Sequence, residues 1–447
     1  DELDCMAGSE MTKILMASVL ARMELTDQSK GVVAMEGAIP PLVRMISNGK
    51  LEARTAALGA LLNLSTHPEN RDPMISAGVI PPLLKLLFSV TSVRMNLKET
   101  ASETLANLAT AAPLGFDNNT YSSILDSEET IYQLLSLLNL VGPVIQGHLL
   151  SALHGMAAPS TAITVRSKMR SGGAIQLLLP FCEANNTNVR VNAVKLLYSL
   201  SQDGKGKELA EDIGENHIQA FVNLIASSRE DERAAAAGII SNLPQNDSHL
   251  TEVLYMKNAL PALTELLRVG SGSMSPSNNR CMEVAARAMI RFTLPSDVRM
   301  QRFAVEQNAI PLLLTVLSRG SPLAKKEAAI VLSQLSENSK KLSNPIDIRA
   351  NWCCFVFSKP EPVCIVHQGH CSVRSSFCLI QSEAIGPLVS LLEEENSEAH
   401  EAALSALTTL MKDDEILEKG MEVIDEAGGL KAIVRLLTFV TDPAVKV

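Results

Sequence analysis

The chain has 447 residues, of which 46% are apolar and only 3% aromatic, and its formal net charge is −10. The negative charge argues against a general nucleic-acid binder, which needs a basic face for phosphates. The scarcity of aromatic residues disfavours a β-sandwich. Eight cysteines, five of them within residues 353–378, do not form the framework of a secreted disulfide-rich protein. We therefore expect a helical chain in the reducing cytoplasm.

The chain opens with residues 1–4 (DELD), which include neither an initiator methionine nor the start of a signal peptide. We therefore expect it to begin inside a longer protein. Residues 11–25 form a leading half-unit of the repeat that follows.

One phrase recurs along the chain: a small residue, Ala-Ile-Pro or a variant of it, and an aliphatic run. It is clearest at residues 37–43 (GAIPPLV) and 78–84 (GVIPPLL). With its Ile or Leu as the anchor, the copies lie at residues 39, 80, 131, 175, 218, 260, 310, 385 and 430, and the copy at 131 is weaker. The intervals are 41, 51, 44, 43, 42, 50, 75 and 45 residues. Five of these eight fall within roughly 40–47 residues, the period of armadillo and HEAT repeats.

Each copy predicts three helices. The Gly or Asn that opens the phrase ends a short first helix in a left-handed conformation. Pro40 and its counterparts fit the first turn of a second helix, where the missing N–H costs nothing. The third helix is the longest and is rich in Ala, as at residues 53–64 (ARTAALGALLNL). Its counterparts are residues 101–109, 191–200, 233–243, 284–293, 326–335 and 399–411.

Residues 130–165 contain no Asp, Glu, Lys or Arg, which raises the question of a membrane span. A span needs about 20 strongly apolar residues. Here the run is broken by Gly142-Pro143, two histidines and Pro159, and it fits the repeat. We therefore predict buried repeat helices.

Three intervals are long. The first holds residues 111–126, which predict a surface loop, and the second holds a Ser-rich flexible loop at residues 270–277. The third exceeds one unit by about 30 residues and predicts an insert at residues 337–381 within the repeat domain.

The insert carries Trp352 and five cysteines. Thiolates and imidazoles are ligands that zinc prefers, but structural sites usually pair cysteines two to four residues apart. We expect no metal or other cofactor, and packing of the cysteines and Trp352 against the repeats. A reactive or disulfide-forming pair and a zinc site remain as alternatives, the latter formed by Cys364, His367, His370 and Cys371.

Three helices per unit, the Gly-X-Ile-Pro start and third helices ending in Leu-X-Asn-Leu together resemble armadillo repeats. The resemblance covers nearly all of residues 1–447 and implies an all-α, right-handed superhelix of about nine to ten repeats. In armadillo proteins the third helices line a groove, where Asn residues hold the backbone of an extended peptide. The matching positions are Asn63, Asn107, Gly155, Ser199, Asn242, Arg291, Gln334 and Thr409.

One turn earlier, the nuclear-import adaptors of this family place Trp residues that sandwich basic cargo side chains. None of the corresponding residues here is Trp, which argues against an import adaptor. They are Gly59, Glu103, Ser151, Lys195, Gly238, Arg287, Ile330 and Ser405.

Three arginines recur at helical spacing on one third helix. Arg280, Arg287 and Arg291 are seven and four residues apart and are expected to share a face. Lys195 occupies the position of Arg287 two repeats earlier. One interpretation is a basic groove that pairs with acidic or phosphorylated groups of a partner. The other is a solvated helix face with local ion pairs.

No catalytic motif is recognisable. The sequence has no Gly-rich phosphate loop, no Gly-X-Ser-X-Gly elbow and no His-Glu-X-X-His. We therefore predict a protein-binding module and not an enzyme.

The sequences of residues 35–43 (MEGAIPPLV) and 371–379 (CSVRSSFCL) resemble the armadillo region of plant U-box E3 ubiquitin ligases, in particular their senescence-associated subgroup. The resemblance implies that the groove binds substrates or receptor kinases. It also implies association with the inner face of the plasma membrane. The ubiquitin-conjugating enzyme binds a U-box, and no U-box-like segment is recognisable here. This chain is therefore not expected to transfer ubiquitin.

Three alternatives remain open. The first is a stand-alone armadillo scaffold or adaptor, the second a peripheral membrane module whose ligand is lipid, and the third a metal or redox sensor built on the insert.

Overall fold

The computed structural model describes residues 10–89, 95–110, 127–270, 276–343, 377–395, 397–412 and 414–439. Within these ranges all regular structure is helical and no strand occurs, which confirms the predicted all-α class. The predicted loop at 111–126 and most of the Ser-rich loop lie outside the described residues. So does the part of the insert that holds Trp352 and the four candidate zinc ligands, so the insert and the zinc alternative stay predictions.

The chain forms two compact units, Asp1–Asp203 and Gly204–Val447. The helices of the first unit are α1 (Glu10–Arg22), α2 (Asp27–Met35), α3 (Ile39–Asn48), α4 (Leu51–Ser65), α5 (Arg71–Ser76), α6 (Ile80–Leu87), α7 (Met95–Thr110), α8 (Glu128–Leu138), α9 (Pro143–Ala157), α10 (Ile163–Ser171), α11 (Ala174–Leu178) and α12 (Thr187–Leu200), with 3₁₀ turns at Pro68–Asn70 and Leu179–Glu183.

The helices of the second unit are α13 (Gly206–Asp212), α14 (Glu215–Ile225), α15 (Glu230–Asn242), α16 (Ser248–Met256), α17 (Ala259–Gly270), α18 (Pro276–Met289), α19 (Val298–Glu306), α20 (Ala309–Arg319), α21 (Pro322–Glu337), α22 (Ser339–Ser343), α23 (Ile385–Leu391), α24 (Ser397–Thr408), α25 (Asp414–Glu426) and α26 (Gly429–Phe439), with 3₁₀ turns at Ile290–Phe292 and Thr409–Met411.

Three helices make one repeat, as α2, α3 and α4 show. The second helix, α3, buries Ile39, Leu42, Val43 and Ile46, which lie on one face at helical spacing. The third helix, α4, buries residues on most of its sides, because it packs against α3 of its own repeat and between the third helices α1 and α7. Its alanines let these helices approach closely.

A left-handed residue precedes most of the second helices, as the Gly-X-Ile-Pro phrase predicts. Its φ is +84° at Gly37 and +60° at Asn308, and Glu383 adopts the same conformation. Two of the described copies are exceptions. Glu129 lies inside α8, and the other exception is Asn216. It lies inside α14, which begins at Glu215 directly after Gly214, so no left-handed turn separates a first from a second helix there.

The uncharged residues 130–165 form α8, α9 and the start of α10. The interior of α9 is buried against the neighbouring third helices α7 and α12. Among the described residues, no helix is long and apolar enough to cross a membrane.

A network of polar contacts lies at the C-terminal end of the first unit. Arg166 on α10 is only 1% exposed. Its Nε and Nη2 donate to the two carboxylate oxygens of Asp203, each at 2.7 Å, and Nη1 donates to the carbonyls of Ala157 and Pro159. These hydrogen bonds from Arg166 hold the pKa of Asp203 below its usual range. The network fixes the loop after α9 to the turn after α12.

Candidate partner-binding face

The surface of interest is formed by consecutive third helices. In the first unit α1, α4, α7, α9 and α12 pack successively against one another, and in the second unit α15, α18, α21 and α24 do the same. We call the eight positions that match the family's Asn the ladder. Each ladder residue lies near the C-terminal end of its helix or in the short turn that follows.

In the first unit, the two ladder asparagines bind the preceding third helix. Nδ2 of Asn63 donates to the carbonyls of Leu20 and Met23, both at 2.9 Å, and Nδ2 of Asn107 donates to Oγ of Ser65 at 3.0 Å. A carbonyl at a helix end has no partner within its own helix. These amide groups therefore stabilise the stack, and both side chains remain half-buried.

At two ladder positions that hold another residue than Asn, the third helices pack closely against each other. A Cβ atom at Gly155 would lie 2.4 Å from the carbonyl oxygen of Ala109 at the end of α7, so no larger residue fits without moving backbone. Ser199 on α12 is buried, and its Oγ lies 3.3 Å from Nδ1 of His154. The departures from Asn at these two positions thus belong to contacts between third helices.

In the second unit, Arg291 is part of the interior. It is 2% exposed, and its Nη2 donates to the carbonyls of Leu243 (2.7 Å) and Pro244 (3.0 Å) at the end of the preceding third helix. Burial lowers its pKa to about 10, although the charge of Asp247 opposes this shift. The guanidinium therefore stays protonated at neutral pH.

The three remaining ladder residues are also half-buried or buried. Oε1 of Gln334 accepts a hydrogen bond from Oγ1 of Thr293 at 2.7 Å. Asn242, the last residue of α15, is half-buried. Thr409 is buried and its hydroxyl donates to the carbonyl of Ala406.

The three arginines differ in their surroundings. Arg280 is exposed, whereas Arg287 is 30% exposed and donates from Nε to Oε1 of Glu327 at 2.9 Å. Arg291 follows the end of α18, in the 3₁₀ turn Ile290–Phe292. Because a 3₁₀ turn is wound more tightly than an α-helix, the α-helical spacing that groups the three residues no longer applies at Arg291. Lys195 on α12 is half-buried and lies in the other unit.

Sequence reasoning missed Glu327, the partner of Arg287. The side chain of Glu327 is 6% exposed. It lies on α21, the third helix that follows α18. Its position 40 residues after Arg287 is close to one repeat period, so a search for opposite charges one period apart identifies the pair.

The different roles of Arg287 and Arg291 predict different effects on stability. Arg291→Met leaves the carbonyls of Leu243 and Pro244 without the guanidinium donor and is expected to lower the free energy of unfolding by about 2 kcal/mol. Arg287→Lys keeps a cation beside the carboxylate of Glu327 and is expected to lower it by less than about 1 kcal/mol. Urea unfolding of both variants checks this, and equal losses would contradict the interior role of Arg291.

The family profile of the Armadillo/beta-catenin-like repeat matches residues 26–66 and 67–110, and the first match coincides with the three helices α2, α3 and α4. The crystal structure of an engineered protein superposes with a TM-score of 0.69 over 99% of this chain and 95% of that chain, at 19% identity. This chain contains armadillo repeats.

The chain is homologous over almost its whole length to plant U-box domain-containing proteins. U-box domain-containing protein 44 of Arabidopsis thaliana is 33% identical over 452 aligned residues, which cover 96% of this chain and 55% of that protein. U-box domain-containing protein 24 of Oryza sativa subsp. japonica is 32% identical over 472 residues, covering 96% and 57%. The chain thus spans about half the length of the curated relatives it matches.

Proposed function

We propose that this armadillo solenoid binds protein substrates or regulatory partners for a plant U-box E3 ubiquitin ligase. The observation that carries the proposal is homology to U-box domain-containing proteins over 96% of a chain that folds as armadillo repeats. No U-box is found in this chain. Ubiquitin transfer therefore belongs, in this proposal, to the U-box of the whole ligase, and the repeats select what is modified.

Within the second unit, we place one contact for acidic or phosphorylated groups at Arg280 and Arg287. The exposure of Arg280 and the partial exposure of Arg287 support this assignment. A guanidinium binds a carboxylate or phosphate through two parallel hydrogen bonds. A partner anion has to share Arg287 with Glu327, so we expect a phosphate to bind better than a carboxylate because of its larger charge. Arg291 is left out of this contact because it is buried.

The decisive experiment captures partners from plant extract with the chain as bait. The wild type is compared with the double variant Arg280→Glu/Arg287→Glu, and bound proteins are identified by mass spectrometry. The captured amount of each partner that depends on this contact is expected to fall at least about tenfold in the double variant, because attraction becomes repulsion at two positions. Phosphatase treatment of the extract is expected to abolish the capture of partners that bind through a phosphate group.

Arg319→Glu is the matched control. Arg319 is an exposed arginine at the end of the second helix α20, so its reversal adds negative charge at a position that does not belong to a third helix. If the double variant captures the same partners as Arg319→Glu, the proposal of a contact at Arg280 and Arg287 is wrong. If neither the wild type nor any variant captures a protein that ubiquitination assays identify as a substrate or regulator, the proposed function itself fails.

A further inference from the structure

One position near the start of the third helices holds a long polar side chain in most of the repeats. It lies nine residues before the ladder position, and at the eighth ladder residue's counterpart in α18 it is Met282. The other seven side chains at this position are Arg54, Lys98, Gln146, Arg190, Arg233, Lys325 and His400.

In four repeats this side chain caps the second helix of its own repeat. A side-chain nitrogen donates to a carbonyl at or just beyond the C-terminal end of that helix, where the carbonyls have no partner within the helix. The pairs are Lys98 with Ser89 (2.7 Å), Gln146 with Leu138 (2.9 Å), Arg190 with Ala184 (3.0 Å) and His400 with Glu394 (2.6 Å). The common role of this position is therefore structural.

Arg54 on α4 departs from this role. Within the described part of the chain its guanidinium donates to no carbonyl at the end of α3, and its buried Nε has no hydrogen-bond partner. Buried polar atoms in proteins are almost always paired, and each exception needs an explanation. The positive charge of Arg54 is thus not compensated by the residues that the structure describes.

Arg54 lines a pocket of about 670 Å³ between the C-terminal end of α3 and the second helix of the next repeat, α6. Ile46, Leu86 and Phe88 form an apolar part of its wall. Lys85 on α6 is the second cation at the pocket, and it forms no ion pair within the described ranges. The described residues that line the pocket include no acidic side chain. Two uncompensated positive charges therefore lie beside an apolar wall.

Arg233 shows that an unpaired guanidinium is not sufficient for such a site. It occupies the position of Arg54 on α15, and its buried Nε also has no hydrogen-bond partner among the described residues. Lys85 lies five residues after the anchor of its second helix, and the residue five after the anchor of α17 is Glu265, which pairs with Arg268. The repeat after Arg233 therefore carries an acid where the repeat after Arg54 carries a cation.

We propose that the pocket at Arg54 and Lys85 binds a phosphate monoester attached to an apolar body. A guanidinium binds phosphate through two parallel hydrogen bonds. The ammonium of Lys85 adds a second positive charge, which favours a phosphate of nearly two negative charges over a carboxylate of one.

The size of the pocket supports an organic ligand. Its volume falls within the roughly 300–1,000 Å³ of small-molecule sites, in which a few polar groups fix a ligand against apolar walls. Inorganic phosphate leaves the wall of Ile46, Leu86 and Phe88 uncovered. Both cations lie on regular helices, α4 and α6, so the site is not built from the residues between α6 and α7. The inference goes beyond the proposed function and does not rest on it.

The probe is 1-naphthyl phosphate, titrated into the full chain by isothermal titration calorimetry, with inorganic phosphate and 1-naphthol as comparisons. The ester is expected to bind at least about tenfold more tightly than either comparison, because each of these carries only one half of the required chemistry. An ester that does not bind, or that binds no more tightly than 1-naphthol or inorganic phosphate, overturns the inference.

Two variants assign the binding to these cations. Arg54→Gln is expected to weaken 1-naphthyl phosphate at least about tenfold, because the charged bidentate donor is lost. Lys85→Glu is expected to weaken it about tenfold by charge reversal, and its exposed position on α6 leaves the packing of the helices unchanged. Arg233→Gln is the matched control and is expected to bind as tightly as the wild type. If Arg54→Gln and Lys85→Glu bind the ester as tightly as Arg233→Gln, the inference is wrong.

A phosphate on an apolar body can come from a free small molecule or from a phosphotyrosine side chain. A ten-residue peptide with one phosphotyrosine is therefore titrated beside 1-naphthyl phosphate. Tighter binding of the peptide assigns the group to a partner protein, and weaker binding assigns it to a free small molecule. In both cases Arg54→Gln is expected to weaken the tighter ligand, and an unchanged affinity overturns the inference.

Discussion

Asp203→Ala is expected to lower the free energy of unfolding of the first unit by about 3–5 kcal/mol, because it leaves the buried guanidinium of Arg166 without its counter-ion. Two hydrogen bonds of 2.7 Å are lost at once. The backbone adds to the effect, since Asp203 has φ of +62°, a conformation that Ala adopts less readily than Asp. Urea unfolding gives the total loss, and hydrogen exchange of the α10 and α12 amides locates it.

Asp203→Asn separates charge from geometry. Asn tolerates a positive φ and keeps one acceptor for Arg166, so the expected loss is smaller, about 2 kcal/mol. An equal loss in the two variants would show that the negative charge alone determines the effect. No loss in Asp203→Ala would show that Arg166 is held by the backbone carbonyls alone.

The Asp203 carboxylate also predicts a pH dependence. Its folded-state pKa is lowered by the hydrogen bonds from Arg166, whereas the unfolded chain has an ordinary Asp pKa of about 3.9. The stabilisation is therefore complete above about pH 4 and is lost as the pH falls through the lower folded-state pKa. The stability difference between wild type and Asp203→Asn is expected to shrink in that acidic range. A difference that stays constant down to low pH would contradict the ion pair.

Periodicity in the sequence predicted most of the fold. The anchor residues identified the second helices, and the Ala-rich runs identified the third helices, because both depend on local patterns that repeat. Asn216 escaped this reasoning, since the Asn that favours a left-handed turn elsewhere is inside α14 here. The Arg166–Asp203 pair also escaped, because its partners lie 37 residues apart and outside the repeated phrase.

The candidate site was less predictable than the fold. Helical spacing correctly put Arg280 and Arg287 on the third helix α18. It did not reveal that the helix tightens into a 3₁₀ turn at Arg291, nor that Glu327 supplies a local partner for Arg287.

A second large effect on stability is expected on substitution of Gly155. Helix propensity alone predicts the wrong sign for it. Replacing Gly by Ala inside a helix usually stabilises it by up to about 1 kcal/mol. Here the new Cβ would lie 2.4 Å from the Ala109 carbonyl oxygen and 2.7 Å from its carbonyl carbon. Both are backbone atoms, so α7 and α9 have to separate. We expect Gly155→Ala to destabilise the chain by about 2–3 kcal/mol, and Gly155→Asn by more.

Gly147→Ala is the matched control on the same helix. A Cβ at Gly147 would have its nearest neighbour, Cβ of Asn188, at 3.5 Å, which is an ordinary contact. This variant is expected to leave stability unchanged or to raise it by up to about 1 kcal/mol. Thermal unfolding of the two variants therefore separates packing from propensity. If Gly155→Asn, which restores the residue that the family resemblance places there, is as stable as wild type, the close contact of α9 with Ala109 does not exist. If it is strongly destabilised, the loss of Asn at this ladder position follows from the approach of two third helices, and a partner segment finds no side-chain amide there.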